Sequence, residues 1–401
     1  MMGSNVARSR YRALVAEDRI EVHYQPIIAV RRGEVIAIEA LARLRDGDRL
    51  IQPDAFLPQL TAEDREILFQ SVLRRGIAYL RHLAAVAPAL SLSINVDAEV
   101  LSRGSVSATI EAALAAGSIL PGRLIVELLE SHEFPDLGMA RHELEILRRA
   151  GVAIAIDDLG VEFSTLKRVQ RLPVDYLKID KAFLADVAQN PNDLVFLAAF
   201  VTMAQELGMK LCVEGVETLD MLDALRIMGA PMVQGFGIAR PMPEAALSSW
   251  LAGGAGRPIK GPPRTMLGAF ALHTRWLRVF LFAPNEASLV HYLRRDSKLS
   301  LEGFLRRAGL DRAPLGVAYA DLMALTDQDT LKTAAVHAAA ERVRVLLTEA
   351  VIAHGLSKAG TPARAKAARQ PRQGSADRSV RQGGGIHRSD ESGAELIASD
   401  F

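Results

Sequence analysis

Val152-Ala-Ile-Ala-Ile-Asp-Asp158 is an apolar run of strand length that ends in two adjacent aspartates. Leu124-Ile-Val-Glu-Leu128 and Lys210-Leu-Cys-Val213 follow the same design, with Glu127 near the end of one and Glu214 just past the other. Short apolar runs rich in Val and Ile, bounded by polar residues, read as buried strands. Working outward, further runs of this kind are Val22–Ala29, Val35–Leu41, Leu90–Val96, Val174–Ile179 and Pro231–Gln234. Longer amphipathic stretches separate them, Ala62–Leu83 and Asp193–Leu207 most clearly. Strands alternating with helices imply βαβ units and a parallel sheet. Eight strands in roughly 230 residues suit a (β/α)8 barrel better than an open doubly wound sheet. The first two strands are joined only by a short turn around Arg31-Arg-Gly33, too short for a helical crossover, so they should pair antiparallel. The fold class is therefore α/β: a modified TIM-type barrel with an antiparallel first strand.

Beyond the barrel the texture changes. Residues 1–19 read as an N-terminal segment, 20–252 as the barrel, and the Gly/Pro-rich Gly253–Arg264 as a linker. Residues 265–355 carry helical patterns without strand alternation, as in Leu331–Ala353, and suggest a small all-α domain. Residues 356–401 hold few large apolar side chains and are expected to be a disordered tail.

Composition narrows the function. Lys plus Arg total 48 against 47 Asp plus Glu, a net charge of +1, which argues against nucleic acid as the main partner. The lone Cys212 excludes an intrachain disulfide framework and a Cys-rich zinc site, and at mid-strand it reads as a small core residue. No apolar run is long enough for a membrane span, and the N-terminus lacks a signal-peptide core, so a soluble cytoplasmic protein is expected.

Side chains at the C-terminal ends of barrel strands converge on one face. Here those ends carry Glu39, Asn95, Glu127, the pair Asp157 and Asp158, Lys178 with Asp180, Glu214 and Gln234. Any one of these acids could be a solvated loop residue, and Lys178 alone could simply pair with Asp180 or Asp157. Acids recurring at successive strand ends are harder to dismiss, because such a set needs cations, and hard oxygen donors in this number select Mg²⁺ or Mn²⁺ over zinc. A carboxylate such as Asp157 can bridge two ions ~3.5–4 Å apart, the spacing used in phosphoryl displacement. Within such a set Lys178 reads as a group that orients water or stabilises phosphate charge.

These residues resemble a known family. Tyr24-Gln-Pro-Ile27, Glu39-Ala-Leu41 with Arg43, Asp157-Asp158, Leu177-Lys-Ile-Asp180, Glu214-Gly-Val-Glu-Thr218 and Gln234-Gly235 resemble, in order and spacing over residues of about 12 to 250, the EAL-domain cyclic-di-GMP phosphodiesterases of bacteria. The resemblance implies hydrolysis of cyclic di-GMP to linear pGpG. It implies Glu39, Asn95, Glu127 and Asp157 as ligands of a first metal, and Asp157, Asp158 and Glu214 as ligands of a second. Lys178 would contact the attacking water, with Glu214 also cast as a general base; Gln25, Arg43 and Gln234 would lie near the dinucleotide. Glu130 would brace the loop that places the second metal, and Glu217 is a further candidate for a supporting role. The family also admits a homodimer, here through the barrel or the C-terminal helices. The start of the helical region, His273-Thr-Arg-Trp276, and the helix near His337 weakly resemble zinc-binding chemoreceptor-type domains. The cysteine expected there is absent and His291 and His337 form no ligand spacing, so these histidines read as structural.

The departures gather in one loop. Where the family usually reads Asp-Phe-Gly-Thr-Gly-Tyr-Ser-Ser, this chain has Asp158-Leu-Gly-Val-Glu-Phe-Ser-Thr165, and Leu129 replaces a usual threonine. A rival expectation follows: a cyclic-di-GMP receptor that signals through the C-terminal helices without useful turnover. A glutamate at a glycine position costs about 1–3 kcal/mol where φ is unsuitable, and a shift of about 1 Å in a catalytic ligand can cost ~100-fold in rate. Restoring the loop by Val161→Thr, Glu162→Gly and Phe163→Tyr together should raise kcat or lower the metal concentration required, with nucleotide affinity nearly unchanged. Lower turnover in the triple variant would show Glu162 to be an adapted part of the site.

Overall fold

A ten-residue strand, β1 (Ile20–Ala29), turns through four residues into β2 (Glu34–Asp46), and this antiparallel hairpin begins the sheet. In the computed structural model, described here over residues 2–129, 134–159, 172–253, 261–282, 300–326 and 333–359, the sheet then closes on itself. The remaining strands are β3 (Arg49–Ile51), β4 (Ser91–Val96), β5 (Leu124–Leu129), β6 (Ala153–Leu159), β7 (Tyr176–Ile179), β8 (Lys210–Val213) and β9 (Met232–Val233). Pairing runs parallel from β2 through β4 to β9, and β1 closes the ring by pairing antiparallel with both β9 and β2. The barrel is thus eight-stranded with one reversed strand, as the short first turn required. β3 is an added hairpin arm on the end of β2.

The long helices are α1 (Met2–Ala16), α2 (Ala62–His82), α3 (Val106–Ala115), α4 (Leu137–Arg149), α5 (Asp193–Glu206), α6 (Leu219–Met228), α7 (Glu244–Ala252), α8 (Met266–Phe282), α9 (Pro314–Thr326) and α10 (Thr333–Ala359). Helix α2 shows why such segments start where they do. Thr61 accepts from the Asp64 amide while Asp64 accepts from the Thr61 amide, a reciprocal capping box that satisfies two otherwise orphaned donors. Helix α1 falls in the stretch read only as an N-terminal segment. It is anchored by Arg12 on Asp64 (2.7 Å) and by Arg10 on Asp46, and its Leu14 and Val15 are buried.

Two apolar cores arise from the alternation of side chains along each strand. The larger lies between the strands and the surrounding helices. The smaller fills the barrel interior with Ile27, Ala37, Ile125, Ala155, Cys212 and Met232. Cys212 therefore is the small core residue its position suggested, and burial pushes its thiol pKa well up.

The helices beyond the linker share the larger core. Trp276, Phe304, Tyr319, Leu322, Val343 and Leu347 belong to the same buried cluster as the barrel helices, and Met1–Gly355 form one compact unit. The joint is chemically specific. Asp223 of α6, 3% exposed, accepts from the amides of Arg264 (2.7 Å) and Thr265 (3.0 Å), from the Thr265 hydroxyl (3.1 Å) and from Arg226 (2.7 Å). It thereby holds the first turn of α8. Gly268 allows this approach, since a Cβ there would lie 2.0 Å from the Asp223 carboxylate. His273, buried on α8, donates from Nε2 to the Ala340 carbonyl (2.9 Å), and burial lowers its pKa to about 4. His337 is exposed; α10 runs through Ala359, four residues into the stretch 356–401 read as a disordered tail, while His291 and the rest of that stretch lie outside the described residues.

Removing the Asp223 carboxylate takes from Arg226 its ion-pair partner, although its Nη atoms still reach the Gly261 and Pro262 carbonyls, and leaves the Arg264 and Thr265 amides without their acceptor. Asp223→Ala should cost about 3 kcal/mol, read as a fall in the urea midpoint with an unchanged slope.

Candidate active site

Period two along the strands builds the site directly on the inner core. Two residues beyond Ala37, Ile125, Ala155, Cys212 and Met232 stand Glu39, Glu127, Asp157, Glu214 and Gln234. On the reversed strand the order inverts, and Gln25 stands two residues before Ile27. Ser93 and Tyr176 precede Asn95 and Lys178 in the same way. Each functional side chain is therefore the next inward-facing residue above the layer that fills the barrel, apolar everywhere but at Ser93, at the strand ends where barrel sites form.

Lys178 sits at the centre, 2% exposed. Its Nζ lies 2.6 Å from Glu214, 2.7 Å from Glu127, 3.4 Å from Asp157 and 3.5 Å from Glu39. Asp180, the bland partner for this lysine, instead turns away to accept from the Ala182 amide (2.8 Å) and cap a short helical turn. Amides order the rest. Asn95 Nδ2 donates to Glu39 Oε1 (2.8 Å), and Gln234 Nε2 donates to Glu39 Oε2 (2.7 Å) and to Gln25 Oε1 (3.1 Å). Gln25 in turn donates to the Ala239 carbonyl (3.0 Å).

One buried ammonium faces four carboxylates, and their titration reflects this. Burial disfavours the charged Lys178, but its acidic neighbours more than offset it and hold the pKa well above the ordinary lysine value. Burial also acts against ionised Glu39, yet Lys178, Gln234 and Asn95 together keep that carboxyl below its usual range. Glu127 receives less help: burial, then the Glu39 charge, lifts it well above a normal glutamate. For Glu214, burial, opposed by Lys178 and reinforced by Asp157 and Glu39, pushes the pKa up to about 8. The cluster is short of positive charge. Its donors are hard oxygens, and Glu39, Glu127 and Asp157 each offer one within 4.8 Å of the others, a set suited to a divalent cation.

The other candidates take different places. Asp158 continues β6, but its side chain lies outside the described residues, as do Glu130 and the loop with Glu162. Glu217 is exposed on the loop after β8, and its backbone rather than its carboxylate is packed, against Gly237. Arg43 stands four residues beyond Glu39 on the same face of β2, 7% exposed; its Nη1 donates to the Ala42 carbonyl (2.8 Å), while its Nε has no hydrogen-bond partner. Burial lowers its pKa.

Sequence reasoning passed over two features. Ser93, fully buried, donates to Glu127; period two from Asn95 was the available signal. The glycines beside Glu214 and Gln234 also position backbone. Gly215 has φ +68° with Lys181 so close that a Cβ would lie 2.3 Å from its side chain, and a Cβ on Gly235 would lie 2.2 Å from the Val216 carbonyl. Neither constraint shows in a motif until the chain is folded.

Relatives share this barrel. Over 244 residues, 60% of this chain and 31% of the relative, the sequence is 36% identical to cyclic di-GMP phosphodiesterase NbdA of Pseudomonas aeruginosa. It is 29% identical over 235 residues to cyclic di-GMP phosphodiesterase RocR of the same organism, covering 58% of this chain and 60% of that protein. The chain thus matches less than two thirds of the length of either. Among solved structures, the PaMucR phosphodiesterase in complex with c-di-GMP superposes with a TM-score of 0.53 at 32% identity, over 59% of this chain and 97% of that one. The EAL domain of Mycobacterium smegmatis DcpA gives 0.50 at 31% identity, over 59% and 97%. Residues 7–241 match the EAL domain family model, more than half of the chain, and the protein belongs to the EAL-domain family.

Proposed function

We propose that this protein hydrolyses one phosphodiester bond of cyclic di-GMP to give linear pGpG, using two divalent cations, Mg²⁺ or Mn²⁺. The observation that carries the reading is the quartet of carboxylates, three buried and one half-buried, around a single lysine at the mouth of the barrel. A dianionic dinucleotide has no reason to approach such a cluster unless cation charge inverts the local field. In this reading Glu39, Asn95, Glu127 and Asp157 hold one ion, and Asp157, Asp158 and Glu214 the other. Asn95 fits its part because its amide nitrogen is committed to Glu39, leaving its oxygen for a cation. Bound cations would supply Lewis acidity toward the phosphate and a low-pKa water.

The chain's own groups supply position and charge. Lys178 keeps the acids within reach of one another and presents Nζ protons to an attacking oxygen. Glu214 is the most open of the four acids, with 20% of its side chain exposed; it serves as a ligand of the second ion, or, where a single ion is bound and the carboxyl is ionised, as general base toward that water. Arg43 is a buried guanidinium with no ion pair among the described residues, set about 13 Å along β2 from Glu39. That arrangement suits a phosphate or a guanine edge of a dinucleotide lying across the mouth. Gln25 and Gln234 border the same opening, and their mutual hydrogen bond orients Glu39 as much as it offers contacts to a ligand. The names of the relatives point the same way. The altered loop after Asp158 supports the second reading, a receptor without useful turnover, and the same assay separates them: pGpG appears on incubation with cyclic di-GMP and Mg²⁺ or Mn²⁺, or the nucleotide is bound unchanged.

Glu39→Ala should abolish hydrolysis while the protein remains folded, since a carboxylate at the strand end contributes little packing. Asp157→Asn should be at least as severe, because that ligand serves both ions. Near-wild-type turnover in Glu39→Ala would remove the metal assignment.

The raised Glu214 carboxyl also fixes a pH dependence for chelated protein. Its folded pKa of about 8 lies above the ordinary 4.5, so between these values the unfolded chain is ionised while the folded state retains a proton. Stability in EDTA should therefore fall as pH rises from 5 to 8, and Mn²⁺ should restore most at the upper end. A melting temperature that is flat across this window would contradict the account.

A further inference from the structure

The inward residues immediately below the active side chains form a layer that is apolar with one exception. Ile27, Ala37, Ile125, Ala155, Cys212 and Met232 belong to the inner core, and the Tyr176 ring packs against it. The eighth position, on β4, is Ser93, with no solvent exposure. A hydroxyl in an otherwise apolar layer carries a desolvation cost unless it is hydrogen-bonded. Its partner is Glu127: Ser93 Oγ–H donates to Oε1, while the other oxygen, Oε2, lies 2.7 Å from Lys178 Nζ. The register explains the reach, because Asn95 pairs with Glu127 and Ser93 is the next inward residue beneath Asn95.

We infer that Ser93 is a positioning residue of the active site. Its hydroxyl fixes the Glu127 carboxylate so that a single oxygen faces the cation position and Lys178. With Oε1 tied down into the barrel, Glu127 is held as a one-oxygen ligand. Without the hydroxyl, the carboxylate is free to rotate about its last bond and loses the donor that offsets burial of Oε1. Groups that orient metal-ligating carboxylates through such hydrogen bonds typically change metal affinity by about 10–100-fold when removed. Ser93 touches neither substrate nor reacting atoms and acts only through Glu127. The inference rests on the reading of Glu127 as a metal ligand.

The test is Mn²⁺ binding to the full-length protein, measured by calorimetry and by electron paramagnetic resonance of free Mn²⁺, alongside thermal melting in EDTA. Wild type should bind Mn²⁺ and Glu39→Ala should not; failure of wild type to bind would overturn the metal reading itself. Given binding by wild type, Ser93→Ala should weaken Mn²⁺ affinity about 10-fold or more, and Ser93→Thr, which keeps the hydroxyl, should restore most of it. Equal affinity in wild type and Ser93→Ala overturns the positioning role while leaving the metal reading intact. If Ser93→Ala also melts earlier, the threonine variant decides. Recovered Mn²⁺ affinity supports positioning, and recovered melting without recovered affinity shows a packing role only.

Discussion

Everything at the mouth of this barrel is arranged around one buried ammonium. Lys178 Nζ is within 3.5 Å of four carboxylates carried on β2, β5, β6 and the end of β8. Placing so many acids in a buried pocket is unfavourable unless positive charge is brought to them. Lys178 supplies one unit, and the amides of Asn95 and Gln234 soften the charge on Glu39. The remainder of the deficit gives the site its character: burial first, and then the charge of neighbouring acids, raises Glu127 and Glu214, and the unmet charge makes hard cations welcome. The fold serves this arrangement because only a closed barrel brings residues from strands far apart in sequence onto one axis.

Closure also explains what could be read from sequence. Glu39, Glu127, Asp157, Lys178 and Glu214 were legible because each ends an apolar strand, and strand ends in a (β/α)8 barrel share a face. The reversed β1 was legible because four residues cannot house a crossover helix. Helix α1 was not: its anchors, Arg10 on Asp46 and Arg12 on Asp64, lie 36 and 52 residues away. The tight union of α8 with α6 was equally hidden. Gly253–Arg264 looks like a spacer, yet the residue that closes it, Arg264, donates its amide to a buried aspartate in the barrel.

Roles were harder to read than positions. Gln25, Arg43 and Gln234 stand together by sequence resemblance, but folded they divide. The two glutamines form a relay from the Ala239 carbonyl to Glu39, while Arg43 keeps its Nε without a hydrogen-bond partner farther along the strand. Local sequence contains no record of which donor reaches which acceptor across the barrel. Ser93 shows the same limit from the other side, since its small polar side chain attracts no attention until the layer it belongs to proves apolar.

The backbone that presents Glu214 is restrained on every side, and this matters more than any single contact. Gly215 packs on Lys181, Gly235 presses against Val216, and Gly237 lies against Glu217. The Thr218 side chain then accepts from the Met221 amide to start α6, whose Asp223 is fastened to the first turn of α8. A carboxylate on a free loop would swing away from its like-charged neighbours. Held by these close approaches, Glu214 stays 2.6 Å from Lys178 despite the cost of its burial. Three glycines and one buried aspartate thus do for Glu214 what the strand registers do for Glu39, Glu127 and Asp157: they remove the conformational freedom through which an acidic cluster would otherwise relieve its own repulsion.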